Sequence, residues 1–298
     1  MAARRPVVAL ESTLLAHGLP PGRNREVASR LESTVRAAGA VPATIAVLDG
    51  VPLVGLTGPE LDRVCAAGSG LVKLSRRDLG PAVALGRSGA TTVAATAALA
   101  AEAGISVFAT GGLGGVHRAD PDPGGSGVSW DVSADLDVLA GTPVVVVCSG
   151  VKSVLDGGAT LELLETRSVP VLGYRTDRFP AFYLRESDHA VPWRVENAGQ
   201  AAAVAAAHWA GPGLGGILLA NPVPSAAEMS RELHDRLLAE GLALLRAGGV
   251  TGKDVTPTLL GHFHAHSGGV SLDTNEALVV ANARLAAEVA VALAAHRP

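Results

Sequence analysis

Two cysteines, Cys65 and Cys148, are all that the 298-residue chain contains, and they supply neither a disulfide framework nor a C-x-x-C metal pair. Aromatic residues are nearly as scarce, at 3%. That excludes the stacking surface on which a single-strand nucleic-acid binder depends. Charged residues make up only 17%, the net charge is −4, and no basic cluster occurs, so the electrostatic footprint of DNA or RNA binding is also missing. A site for a free nucleotide or sugar phosphate needs only a few local cations and is still permitted. Long apolar runs are absent as well. The Ala-rich stretch 201–220 is interrupted by His208 and by Gly211-Pro212-Gly213, which argues against a membrane span. The opening "MAARR" passes directly into "PVVAL", too short for the apolar core of a signal peptide. These absences together predict a reduced, soluble, cytosolic protein.

What is present is a large apolar fraction, 48%, carried mostly by Ala, Val and Leu. Small residues of this kind suit close packing of helices on a sheet, and the length fits one large α/β domain over 1–298. Strand and helix patterns alternate along it. "VVAL" (7–10) reads as a strand, followed by a helix from Asn24, taken as its N-cap, to Gly39. Asp49-Gly50 predicts a hairpin within 44–56. "LVKLS" (71–75), "ISVFAT" (105–110), "PVVVVCS" (143–149), "VPVLGY" (169–174) and "GGILLANP" (215–222) read as strands. Helices are expected at 91–104, 133–140 and 160–167, after Asn197, and at about 225–247 and 275–296. Continuous apolar strands separated by helices predict a mostly parallel sheet covered on both faces. No repeat and no linker interrupts the pattern, and "ADPDPGGSG" (119–127) reads as a loop insertion.

In such a sheet, ligands bind beyond the carboxyl ends of the strands. Five of those ends carry chemistry: Glu11 after the first strand, Lys73 in "LVKLS", Thr110 before "GGLGGVHR", "CSGVKS" with Lys152, and Asn221 in "ANPVP". Lys152 admits two readings, a solvated surface charge or an amine tuned by apolar neighbours. Burial against Val144–Val147 would favour the neutral, nucleophilic form. Glu11 would be its partner acid or base. The glycine loop is not G-x-G-x-x-G, because His117 occupies the third glycine's place, and it reads as a tight turn. Gly252-Lys253 is followed by Asp254 and makes no phosphate loop of the Walker type. The start of the helix at "GATTV" offers free N–H groups to a phosphate, with capping by Thr91 or Thr92 as the plain alternative. Asp131, Asp135 and Asp137 crowd one helix start, which Ser133 would cap, and Asp131 is a candidate ligand for a hard cation. His262 and His266, at i and i+4, lack the H-E-x-x-H context and read as an exposed helix face.

The segments "ALESTLLAHGLP", "PATIAVLDG", "KLSRRDLG", "GATTVAAT", "VFATGGLGGVHR", "DVSADLDVL", "CSGVKSVLD", "ANPVP" and "GKDVTPTLL" occur in this order. Together they resemble the pseudouridine-5′-phosphate glycosidase family, which also contains the indigoidine synthase A-like proteins, from about residue 7 to 290. The resemblance implies a three-layer α/β/α sandwich with a mostly parallel, mixed central sheet. It also implies a homotrimer and a divalent cation, Mn²⁺ or a similar ion, one per subunit. The implied reaction is metal-dependent, reversible cleavage of the C–C glycosidic bond of pseudouridine 5′-phosphate to uracil and ribose 5-phosphate. A C-glycoside offers no heteroatom leaving group to protonate, and an imine between a lysine and the opened ribose answers that difficulty.

By the same resemblance Lys152 matches the nucleophile and Glu11 the proton donor. Lys73, Val93, Ser133, Ala134 and Asp135 match substrate contacts, and Asp131 the metal position. Thr92, Thr110, His117 and Asn275 fall in motifs that line the pocket. The segment ahead of Asp131 is longer than the family's usual spacing, and Glu276 stands where an apolar residue is usual. A lyase for another C-ribosyl phosphate and a non-catalytic sugar-phosphate binding protein are the alternatives.

Overall fold

A computed structural model of the chain describes residues 5–66, 70–118, 130–250 and 255–296. Most of the segment read as a loop insertion, and the Gly252–Asp254 stretch, lie outside the described residues. In chain order the elements are β1 (Val7–Leu10), α1 (Thr13–His17), α2 (Arg23–Ala37), β2 (Val41–Leu48), β3 (Val51–Val54), α3 (Gly58–Cys65), β4 (Val72–Leu74) and α4 (Leu79–Ala84). Then follow β5 (Gly89–Thr91), α5 (Val93–Glu102), β6 (Val107–Ala109), β7 (Val116–His117), α6 (Ala134–Ala140), β8 (Val145–Cys148), β9 (Leu155–Asp156) and α7 (Gly157–Thr166). The last are β10 (Val171–Tyr174), β11 (Trp193–Val195), α8 (Ala198–Ala210), β12 (Ile217–Ala220), α9 (Arg231–Gly248), α10 (Val255–His266) and α11 (Val270–His296).

The main sheet runs β11-β10-β12-β8-β6-β1-β2-β5-β4, with β3 as a hairpin partner of β2. All pairs from β11 to β2 are parallel; only β2–β3 and β2–β5 are antiparallel. Side-chain alternation assigns the two faces. Val8, Leu10, Val107, Ala109, Val145, Val147, Ile217 and Leu219 point into one core with α2, α8 and α11. Ala9, Phe108, Val146, Cys148, Leu218 and Ala220 point into the other, with α5, α6 and α7. Helices thus cover both faces of a mixed, mostly parallel sheet, the predicted three-layer α/β/α sandwich. The valines of β8 are 0–1% exposed, and each contributes roughly 1.5–3 kcal/mol through burial.

Several local signals act as read. Asp49 and Gly50 both take positive φ, 52° and 76°, as a two-residue hairpin turn requires. Asn197 caps α8 by accepting from the Gln200 amide at 2.9 Å, and Ser133 caps α6. Two expectations are corrected. Asn24 is no cap; it lies inside α2, buried, and its side-chain amide donates to the Leu15 and Cys65 carbonyls, both at 2.9 Å. The helix expected from 91 begins at Val93, because Gly89–Thr91 forms β5 between β2 and β4. Glu276 also finds its reason. It is buried on α11 and clasped by Arg23 and Arg30 of α2, an ion pair that joins two helices on one face of the sheet. Among the described residues one helix, α11, is long and apolar enough to cross a membrane; its apolar residues form part of the core.

Candidate active site

Strand register builds the site. Leu10 pairs with Ala109, Ala109 with Val147, and Cys148 with Ala220. The next residues, Glu11, Thr110, Ser149 and Asn221, therefore emerge side by side at the carboxyl edge of the parallel strands. There the Thr110 hydroxyl donates a short hydrogen bond to Glu11 Oε1. Thr110 is itself buried, while Glu11 keeps part of its surface open on the floor of the crevice. Desolvation pushes the Glu11 carboxyl above its usual range; the nearby Lys152 ammonium and the Thr110 hydrogen bond pull the other way without cancelling it.

Lys152 is placed by a tight bend after β8. Gly150 has φ of +80°, and a Cβ there would collide with the Pro180 carbonyl, so the turn requires glycine. The Lys152 amide donates to the Leu113 carbonyl at 3.2 Å, and its carbonyl accepts from Leu155 at 2.9 Å. Its half-buried side chain is an electrostatic neighbour of Glu11, His117 and Cys148. The Cys148 thiol is pushed up to about 12 by burial and is no nucleophile at neutral pH.

The remaining candidates gather around this pair. Lys73 lies in β4, exposed, close enough to influence Glu11, His17 and His117. Asp135 is buried, and its two oxygens accept from the amides of Ala94 and Gly114, each at 2.9 Å. It joins the start of α5 to the glycine loop. Consequently the N-terminus of α5, expected to offer free amides to a phosphate, already holds a carboxylate; Thr92 caps the same turn by accepting from Ala95. Val93 and Ala134 are the first residues of α5 and α6, and the Ser133 hydroxyl accepts from the Asp135 amide at 3.2 Å. The glycine loop is more than a turn. Gly114 packs on Ser133 and Asp135, where any Cβ would clash. Asn275, on α11, is buried beneath Gly111, and its Oδ1 has no hydrogen-bond partner.

His117 Nδ1 stands 3.6 Å from Asp131 Oδ2, and burial first, then the neighbouring lysines, pushes the imidazole down, against the pull of Asp131. Asp131 is only partly buried. Among the described residues no three His, Cys, Asp or Glu side chains converge on one point. The donor set suits a hydrated divalent cation held through the single Asp131 carboxylate with water completing its shell, not a protein-built cage.

Two features escape sequence reasoning. Asn282, wholly buried on α11, donates to the Thr110 carbonyl at 2.8 Å and to Ser149 Oγ at 3.1 Å, and accepts from Asn221 Nδ2 at 3.0 Å. A lone Asn in an Ala-rich helix was the available signal. His262 is no exposed face: its ring stacks on His266 at 4.3 Å, and its Nε2 lies 3.3 Å from Glu240, away from the crevice residues.

Fold and crevice define an α/β enzyme that takes a small molecule at the carboxyl ends of its strands. More narrowly, the chain belongs to the Indigoidine synthase A like protein family, whose model matches residues 1–292. It is 55% identical to a pseudouridine-5′-phosphate glycosidase of Salinispora tropica, across 98% of this chain and 89% of that protein. It is 54% identical to one of Frankia alni, across 99% and 80%. Among solved structures, a prealnumycin C-glycosynthase in complex with ribulose 5-phosphate superposes with a TM-score of 0.89 at 42% identity, covering 99% of this chain and 94% of that one. An indigoidine synthase A-like protein of Thermotoga maritima gives 0.86 at 36% identity, covering 97% and 94%.

Proposed function

We propose that this protein is a pseudouridine-5′-phosphate glycosidase, cleaving the C–C glycosidic bond to give uracil and ribose 5-phosphate. The observation that carries the reading is the pairing of Lys152 with a Glu11 carboxyl whose affinity for its proton is raised by burial. The neutral Lys152 amine attacks C1′ and displaces O4′, which leaves as a hydroxyl after taking a proton; the ribose ring is then open. Glu11 delivers a proton to C5 of the uracil. The amine's lone pair forms the C1′=N bond as the C1′–C5 pair passes to the uracil ring, and neutral uracil departs. Water hydrolyses the iminium, which regenerates the Lys152 amine and releases ribose 5-phosphate.

Lys73 and His117 provide the charge and hydrogen bonding for the phosphate, while Asp135 positions the start of α5 and the glycine loop around it. Val93, Thr92, Ser133 and Ala134 belong to the same wall, and Asn275 Oδ1 is an acceptor for a sugar hydroxyl. A divalent cation such as Mn²⁺, held by Asp131, would neutralise charge near the substrate. A homotrimer and a cytoplasmic setting belong to the same reading, consistent with the two unpaired thiols.

Borohydride treatment with ribose 5-phosphate is expected to add the reduced sugar's mass at Lys152. Labelling at another residue, or unchanged labelling of Lys152→Ala, overturns the mechanism. Uracil release from pseudouridine 5′-phosphate, followed with and without Mn²⁺, tests the substrate and the metal together.

A further inference from the structure

A cavity of about 330 Å³ opens on Lys152 but includes neither Glu11 nor Lys73 in its lining. Its inner wall is Lys152, Phe179, Pro180 and the buried His234; its outer wall includes the exposed Arg118 and Arg231. We infer that this cavity is the aglycone pocket, with Arg118 and Arg231 as its specificity-determining residues. The inference rests on the reading that Lys152 attacks C1′ and names the subsite which that reading leaves without residues.

Three observations favour a neutral heterocycle over a phosphate. First, the lining's three cations (Lys152, Arg118, Arg231) are matched by three carboxylates (Glu186, Asp188, Asp235), which repel a dianion but suit a neutral ring that both donates and accepts. Second, the helix N-terminus in this wall, that of α7, is already used. Asp156 caps it by accepting from Ala159 at 2.9 Å, and His189 lies against Gly157 and Gly158. Third, His234 is fixed by Asp235 at 2.8 Å on Nδ1 and packed against Phe263, while its buried Nε2 has no partner. A pyrimidine-2,4-dione presents acceptor, donor and acceptor along its imide edge. Guanidinium groups and carboxylates in this lining offer the complementary pattern. Since C1′ is bonded to both the base and the rest of the sugar, an amine attacking it separates two directions. The Lys73 and His117 side takes the phosphate, and the cavity takes the base.

The test uses the synthetic direction, with uracil and ribose 5-phosphate as reactants. Arg231→Ala and Arg118→Ala are each expected to raise the KM for uracil at least tenfold. The yield of ribose 5-phosphate trapped on Lys152 by borohydride stays within twofold of the parent enzyme. Arg231→Gln, which keeps hydrogen-bond donors, recovers part of the uracil affinity, an outcome that a purely structural arginine would not give. Trapping lost together with uracil affinity would make this the phosphate site and overturn the inference, as would an unchanged uracil KM. A parent enzyme that traps no sugar on Lys152 refutes the function itself, and the aglycone assignment falls with it.

Discussion

Replacing Asn282 by alanine would probe whether the strand-end network holds the site in place. Asn282 is 0% exposed, and its loss leaves three groups without their partner: the Thr110 carbonyl, the Ser149 hydroxyl and one N–H of Asn221. Each unsatisfied buried group costs about 1–3 kcal/mol, and partial relaxation toward one another recovers some of that. The expected destabilisation is about 3–5 kcal/mol in urea unfolding, with a fall in Tm of roughly 6–10 °C for a chain of this size. Function should suffer separately. Thr110 carries the hydrogen bond to Glu11, so a displaced Thr110 backbone misplaces the proton donor while Lys152 keeps its own turn at Gly150. Sugar trapping on Lys152 should therefore survive better than uracil release. A stability change under about 1 kcal/mol, or equal losses of trapping and uracil release, would refute the view of Asn282 as a brace for the acid.

Two further predictions follow from Glu11 and the groups facing it, Lys152, Asp135 and Lys73. Because burial raises its folded-state pKa, the native state binds a proton that the unfolded chain has released, and stability is lost as pH climbs from the ordinary Glu range through the folded value. Glu11→Gln should thus stabilise the protein at neutral pH by on the order of 1 kcal/mol, with no gain near pH 4, while kcat falls roughly 10²–10⁴-fold. Parallel unfolding curves at the two pH values check the sign. Thr110→Val removes a hydrogen bond that favours the ionised carboxylate, so the alkaline limb of the kcat profile should move to higher pH by up to about one unit. A shift to lower pH would contradict the assignment of Glu11 as the acid.

What could be read in advance was whatever the local chain decides for itself. Asp49-Gly50 turns because its own dihedrals allow it, Asn197 and Ser133 cap because their side chains reach the next amides, and β8 is buried because four successive valines have nowhere else to go. The nine ordered motifs supplied the site residues. What local pattern could not supply was anything decided by a distant partner. Gly-Ala-Thr at 89–91 has weak preference of its own and becomes a strand only because β2 and β4 lie on either side of it. Asn24 sits at a convincing cap position, yet its amide is drawn to carbonyls 9 and 41 residues away. Asn282 belongs to the same class: its chemistry is set by strands more than a hundred residues earlier in the chain.

That spacing has a consequence for how the protein comes into being. The Glu11–Thr110 bond closes 99 residues of chain, and the Asn282–Thr110 bond closes 172. Contacts of such separation form late, after the helices and hairpin have organised locally. A partly folded chain can hold most of its secondary structure and still have no acid in register with its amine. Such an intermediate presents an unassembled set of strand ends to the cytoplasm, and substrate meets a working site only once the molecule has finished folding.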